Sequence, residues 1–148
     1  MYNARETWYN KRVIRRGKRY TMIECEIIGH HKSLSKDFLS EVFFWAVSEI
    51  MPLRRRLDVT ISLCDLEKPA TGYHWNSDRY THEIELEKNQ SNADLITALF
   101  HEMVHVRQTS NGIYSDDTVP YYERPTEIEA YEQQEELYTK WKKSQKAL

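Results

Sequence analysis

Hydrophobic and polar positions change period several times along this chain, and each change marks an element. Residues 20 to 29 alternate, with Thr21, Ile23, Cys25 and Ile27 opposite Tyr20, Met22, Glu24 and Glu26, which is the pattern of a half-buried strand. From 36 to 51 the spacing turns helical: Phe38, Leu39, Val42, Phe43, Ala46, Val47 and Ile50 share one face, opened by Ser35 and stopped before Pro52. Alternation returns at Leu57, Val59, Ile61 and Leu63, and again at Tyr80, His82, Ile84 and Leu86. Tyr73 to Trp75, after Pro69 and Gly72, predicts a short strand between them. A long helix follows, with Ser91-Asn92-Ala93-Asp94 as its capping box and Gly112 as its stop. A last helix begins near Pro125 or Thr126. The pattern predicts an α+β domain, a small mainly antiparallel sheet packed on three helices.

At 148 residues the chain is one domain's worth. Plentiful aromatics and sparse glycine and proline mark a folded protein. No apolar run approaches the roughly 20 residues that cross a bilayer, and the basic N-terminus is followed by no apolar segment. A cytoplasmic setting without membrane contact is therefore expected, and two separate cysteines, Cys25 and Cys64, read as reduced thiols. The net charge of −2 conceals a skew: residues 1–19 hold seven Lys and Arg against Glu6 alone, with Trp8 and Tyr9 among them. These residues are expected to form a basic N-terminal arm outside a single domain spanning 20–148. Such an arm can hold nucleic-acid phosphates and stack on bases, or it can be a solvated tail or a docking strip for an acidic partner. Arg54-Arg55-Arg56 reads as a basic turn after Pro52.

The chemistry is concentrated in the long helix, at His101-Glu102-Met103-Val104-His105. Residues four apart share a helix face, so His101 and His105 can offer two imidazole nitrogens to one tetrahedral metal. Glu102 is turned by about 100° from His101, beside the metal instead of on it, where it can accept a proton from the attacking water. On a helical wheel both histidines fall just outside the apolar arc of Leu95, Ile96, Leu99, Phe100, Met103 and Val106, at the margin of a cleft. The blander reading is a buried helix whose histidines merely hydrogen-bond.

Catalytic zinc usually takes a third protein ligand, and no histidine follows His105. The extended pattern with glycine and a further histidine also fails, because Gln108 and Asn111 stand in those places. Carboxylates near the last helix start remain: Glu123, Glu127 and Glu129. Glu127 heads the inward stripe that continues through Ala130, Tyr131, Gln134, Leu137, Tyr138 and Trp141, whereas Glu129 belongs to a charged stripe. Glu129 can also close a capping box with Thr126. Periodicity therefore prefers Glu127 and leaves the other two as alternatives.

A helical His-Glu-x-x-His followed by a second helix with Glu127-Ile128-Glu129-Ala130 resembles the gluzincin group of zinc metallopeptidases. The text around both motifs is similar to small phage and prokaryotic proteins of the SprT-like or minigluzincin kind, over roughly residues 57 to 141. SprT-type proteins proper use a third histidine, which this chain lacks, so the gluzincin pattern is preferred. The resemblance implies a zincin-like fold: an active-site helix, a C-terminal glutamate helix and one further helix on the sheet. It implies one Zn²⁺ per chain held by His101, His105 and Glu127, with Glu102 as general base in an endopeptidase acting on peptides or proteins. It also implies a host cytoplasm or a virion if the gene is a phage's. By connectivity Tyr121, Tyr122 and Arg124 lie near the cleft and are expected to contact the oxyanion or the substrate. His82, on the apolar face of its strand, either joins them or is a packed, hydrogen-bonded histidine. The strand from Tyr80 to Glu87 is the expected edge for an extended peptide. From another class, the same fold can serve as a non-catalytic metal-binding, virion-associated or nucleic-acid-associated interaction protein.

Overall fold

The computed structural model describes residues 7–16 and 19–146. Strands β1 (Thr7–Arg16), β2 (Arg19–Ile28), β3 (Arg56–Cys64), β4 (Gly72–Asn76) and β5 (Thr81–Glu87) form one sheet in the order β1-β2-β3-β5-β4. Helices α1 (Lys36–Ile50), α2 (Asn92–Ser110) and α3 (Pro125–Lys146) complete the α+β fold, with a 3-10 turn at Tyr121–Glu123. No helix among the described residues is long and apolar enough to cross a membrane.

Pairing direction departs from expectation. Only the outer pairs, β1 with β2 and β4 with β5, are antiparallel; β2–β3 and β3–β5 run parallel. The sheet is therefore mixed, not mainly antiparallel. The reason is α1, which carries the chain back along the sheet so that β3 starts at the same end as β2. The β4–β5 hairpin then turns the chain once more, and β5 lies parallel to β3. Side-chain alternation is the same in both pairings, so it carries no information on direction.

The alternation itself is kept. Ile23, Cys25, Ile27, Leu57, Val59, Ile61, Leu63, Ile84 and Leu86 are all buried on one face, against Leu39, Val42, Phe43 and Val47 of α1 and Leu95, Leu99, Met103 and Val106 of α2. The caps are where the sequence puts them. Ser35 Oγ accepts from Phe38 N–H, Ser91 Oγ accepts from Asp94 N–H, and Gly112 ends α2 at φ +77°. That positive φ suits a residue without Cβ. Both cysteines are free, Cys25 buried and Cys64 half-buried.

The N-terminal arm is revised. Residues 1–6 and 17–18 of it lie outside the described residues, but Thr7–Arg16 is a strand in register with β2. Two of its cations are engaged on the domain: Lys11 lies 3.6 Å from Glu24, and Arg12 donates to Glu41 at 2.6 Å while covering the Phe44 ring. Pairing with β2 gives one side of the β1 backbone hydrogen-bond partners, which a solvated tail lacks. Position of the site follows from the other edge: β4 closes the sheet there, beside α2, and α3 packs on the far side of α2.

Candidate metal centre

His101 and His105 project from the middle of α2 toward the first turn of α3, where Glu127 meets them. Glu127 Oε1 lies 3.1 Å from His101 Nε2 and 2.5 Å from His105 Nε2, and the two Nε2 atoms are 3.2 Å apart. All three ligand atoms lie within 4.8 Å of one another. Glu127 is 4 % exposed, Glu102 5 % and His101 7 %. Neither Glu123 nor Glu129 joins them. Glu129 is held by Arg107 at 2.8 Å and Gln108 at 2.9 Å, so its role is to brace α2 against α3 instead of closing the expected capping box.

The orientation of both imidazoles is fixed from behind. His105 Nδ1 is 2.8 Å from Gln108 Oε1, and His101 Nδ1 is 2.8 Å from Gln134 Oε1. Gln108 is nearly buried, and its amide cannot be turned round: Nε2 donates to Thr126 O and Glu129 Oε1, which can only accept. Oε1 must then face His105, so Nδ1 carries the hydrogen and Nε2 is left with a lone pair aimed at Glu127. This is the support that metal-ligating histidines ordinarily receive from surrounding groups. Sequence reasoning noticed Gln108 only as a place where another motif fails. The signal that could have found it is its spacing, three residues after His105 on the same helix.

Two imidazole lone pairs and one carboxylate meeting at a point need positive charge between them. A proton on His105 is one answer: burial opposes it, but bonds to Glu127 and the nearby Glu102 charge outweigh burial and raise the His105 pKa. The same bonds overcome burial at Glu127 and hold its carboxyl down at about 2. A divalent ion is the other answer. Tetrahedral zinc with bonds of 2.0–2.1 Å sets its ligand atoms about 3.3 Å apart. Two of the three separations, 3.2 and 3.1 Å, already match, and the third needs to open by under 1 Å. The donor set fits zinc.

Glu102 sits beside the three, not among them. Burial lifts its carboxyl to about 7, although His101 and His105 pull the other way. Its carboxylate rests against β4, and a Cβ on Gly72 would lie 3.1 Å from Glu102 Oε2 and 3.2 Å from its Cγ. A bare glycine on the edge strand thus makes room for the carboxylate.

These groups open into a cleft of about 900 Å³ between β4, α2, α3 and the 113–122 connection. Of the other expected contacts, Tyr121 and Tyr122 line it, and Tyr121 OH is 3.4 Å from Tyr131 OH. Arg124 and His82 do not. Arg124 donates to Val119 O at 2.9 Å and staples the connection from outside. His82, 1 % exposed, is the packed histidine. Its Nε2 faces Arg79 O at 3.1 Å and Ser110 Oγ at 3.2 Å, and Ser110 spends its own proton on Val106 O. Both neighbours accept, so His82 Nε2 carries the hydrogen and Nδ1 is bare. His74 of β4 then donates its Nε2–H to His82 Nδ1 at 2.9 Å. Burial, with His82 and His105 close by, keeps His74 down at about 3, hence neutral, and leaves its Nδ1 as a free acceptor. Among the described residues no group bonds that nitrogen. His74 and Tyr131, whose ring meets His101 edge-on at 4.5 Å, also line the cleft, Tyr131 from the inward stripe that Glu127 heads.

No protein-family model matches the chain, and neither a curated protein nor a solved structure does.

Proposed function

We propose that the chain is a zinc-dependent endopeptidase of the gluzincin type, with a zincin-like fold. The observation that carries this reading is the convergence of His101, His105 and Glu127 on one point with a buried carboxylate, Glu102, beside it. A structural zinc site has no use for a second, unbound acid at its margin, whereas hydrolysis uses one as general base. Bound there, zinc supplies Lewis acidity to the scissile carbonyl and to water. His101, His105 and Glu127 hold the ion, and Gln134 and Gln108 keep the two imidazoles aimed at it. Glu102 takes the proton from the attacking water and returns it to the leaving nitrogen. Its burial beside the three ligands places it for both transfers.

The peptide edge moves from its expected place. β5 is internal, paired with β3 and β4, so it has no free backbone groups for strand addition. β4 is the edge beside the cleft, and an extended substrate paired with Gly72–Asn76 would pass Glu102 and His105. Purified from chelator-free buffers, the chain should contain about one zinc. Glu102→Gln should keep the metal and lose hydrolysis of a peptide library. A metal-free wild-type protein that cannot be loaded with zinc would refute the reading. Zinc bound without any cleavage across the library would favour a binding module on the same fold.

A further inference from the structure

Among the described residues no lysine or arginine lines the cleft, in a chain that contains 21 of them. Carboxylates are there in excess of the chemistry. Besides Glu102 and Glu127, the walls include Glu87, Asp94 and Asp117. Glu87 accepts from the N–H groups of Leu66 and Asn89 at 2.8 Å each, and these bonds hold it ionised. Asp117 is shared weakly with Arg124, 3.7 Å away. No described residue pairs with the Asp94 carboxylate. A divalent ion at the centre would offset Glu102 and Glu127, and Glu87, Asp94 and Asp117 keep the cleft negative.

Two further observations point to the same ligand. Six aromatic rings stand along the walls, Tyr73, Trp75, Tyr114, Tyr121, Tyr122 and Tyr131, each between 40 % and 77 % exposed. Aromatic faces attract ammonium and guanidinium groups, and Tyr121 already receives one, from Arg124 at 5.7 Å. The free ring nitrogen of His74 can only accept. Among the charged and aromatic side chains of the cleft, acceptors and π-faces therefore dominate, and no cationic donor stands among them.

We propose that the cleft selects peptide segments bearing lysine or arginine. This rests on the peptide-binding reading above and adds the substrate's chemical class to it. Asp94 sets one subsite. It lies seven residues before His101 on the same stripe of α2, about 10 Å along the helix. At about 3.3 Å per residue of extended chain, it meets a side chain about three residues from the scissile bond. As a first-turn acid Asp94 also favours α2 through the helix dipole, a role that needs no ligand, so the test must read binding and folding separately.

The test uses zinc-loaded Glu102→Gln protein and three fluorescein-labelled peptides of equal length: one with several Lys and Arg, one with Glu in their place, and one neutral. Fluorescence anisotropy should show the basic peptide binding about tenfold or more tighter than the acidic one, with the gap closing in 0.5 M NaCl, since exposed charges are screened. Asp94→Lys should reduce that preference at least about threefold, with zinc content and circular dichroism unchanged. Equal binding of the three peptides, tighter binding of the acidic one, or no binding of any would overturn the proposal. Wild-type cleavage rates give a second measurement that needs no variant. Equal kcat/KM for basic and neutral peptides would overturn the selectivity while leaving the peptidase intact. Selective binding of the basic peptide without any cleavage would do the reverse.

Discussion

Two pairs of histidines approach each other in this molecule, and they do opposite things with their lone pairs. His101 and His105 stand one turn apart on α2; His74 and His82 are diagonal neighbours across β4 and β5. In the strand pair the hydrogens run inward in series, from His74 to His82 and on to Arg79 O and Ser110. Every contact between the two rings is satisfied and nothing is required from outside. In the helix pair Gln134 and Gln108 occupy both Nδ1 atoms, and the two Nε2 lone pairs are left facing each other and Glu127. That arrangement needs positive charge between the three groups, from a proton or from a divalent ion. What separates a packing histidine from a metal ligand is the direction of the hydrogen bond behind it, not burial or proximity.

The largest break in this comparison comes from removing a ligand. His101→Ala or Glu127→Ala should leave no zinc on the chain after gel filtration, measured by elemental analysis, whereas His74→Ala should keep it. For the intact centre, zinc at 100 times its dissociation constant should stabilise the fold by about 2.7 kcal/mol, read from denaturant midpoints with and without chelator. Loss of the support behind a ligand comes next. Gln108→Leu frees the His105 ring and should weaken zinc binding by about 10- to 100-fold in competition with a chromophoric chelator. Glu129→Ala, which removes only one of the two acceptors that fix Gln108, should cost less than Gln108→Leu does.

A smaller and differently distributed effect is expected from His82→Leu. It strands the His74 N–H and removes the donor facing Arg79 O and Ser110, at about 1–3 kcal/mol of stability in urea unfolding. Zinc affinity should stay within about twofold, because this pair closes on itself. If the leucine variant sheds zinc, the two pairs are one network and the comparison fails. The smallest change concerns Glu102. Gly72→Ala introduces a methyl about 3.1 Å from its carboxylate, and the displacement should lower kcat about two- to tenfold with zinc content unchanged.

Periodicity and caps were enough for the types and approximate ends of the described elements other than β1 and the 3-10 turn. The alternation at 20–29, 57–63 and 80–86, the helical run at 36–51, Ser35, Ser91 and Gly112 correspond to β2, β3, β5, α1 and the ends of α2. These are local effects, set by backbone sterics and by side chains a few residues away. His101 and His105 were legible for the same reason, since one helix turn brings them together without help from the rest of the chain. Glu127 could be ranked first because it heads an inward stripe, yet its meeting with His105 across 22 residues depends on how α3 packs on α2.

What required the tertiary structure were relations between distant segments. Whether β2 and β3 run parallel depends on where α1 delivers the chain, and side-chain alternation is blind to it. The free edge beside the cleft is β4, not β5, because the hairpin puts its shorter strand outside. Gln108 supports His105 only because Thr126 and Glu129 hold the other end of its amide. Gly72 matters only because Glu102 lies against it. Arg124 was near the cleft along the chain and turned out to face Val119. A single side chain's type and period are written in its neighbours in sequence. Which group it donates to, and which lone pair it thereby leaves free, is written only in its neighbours in space.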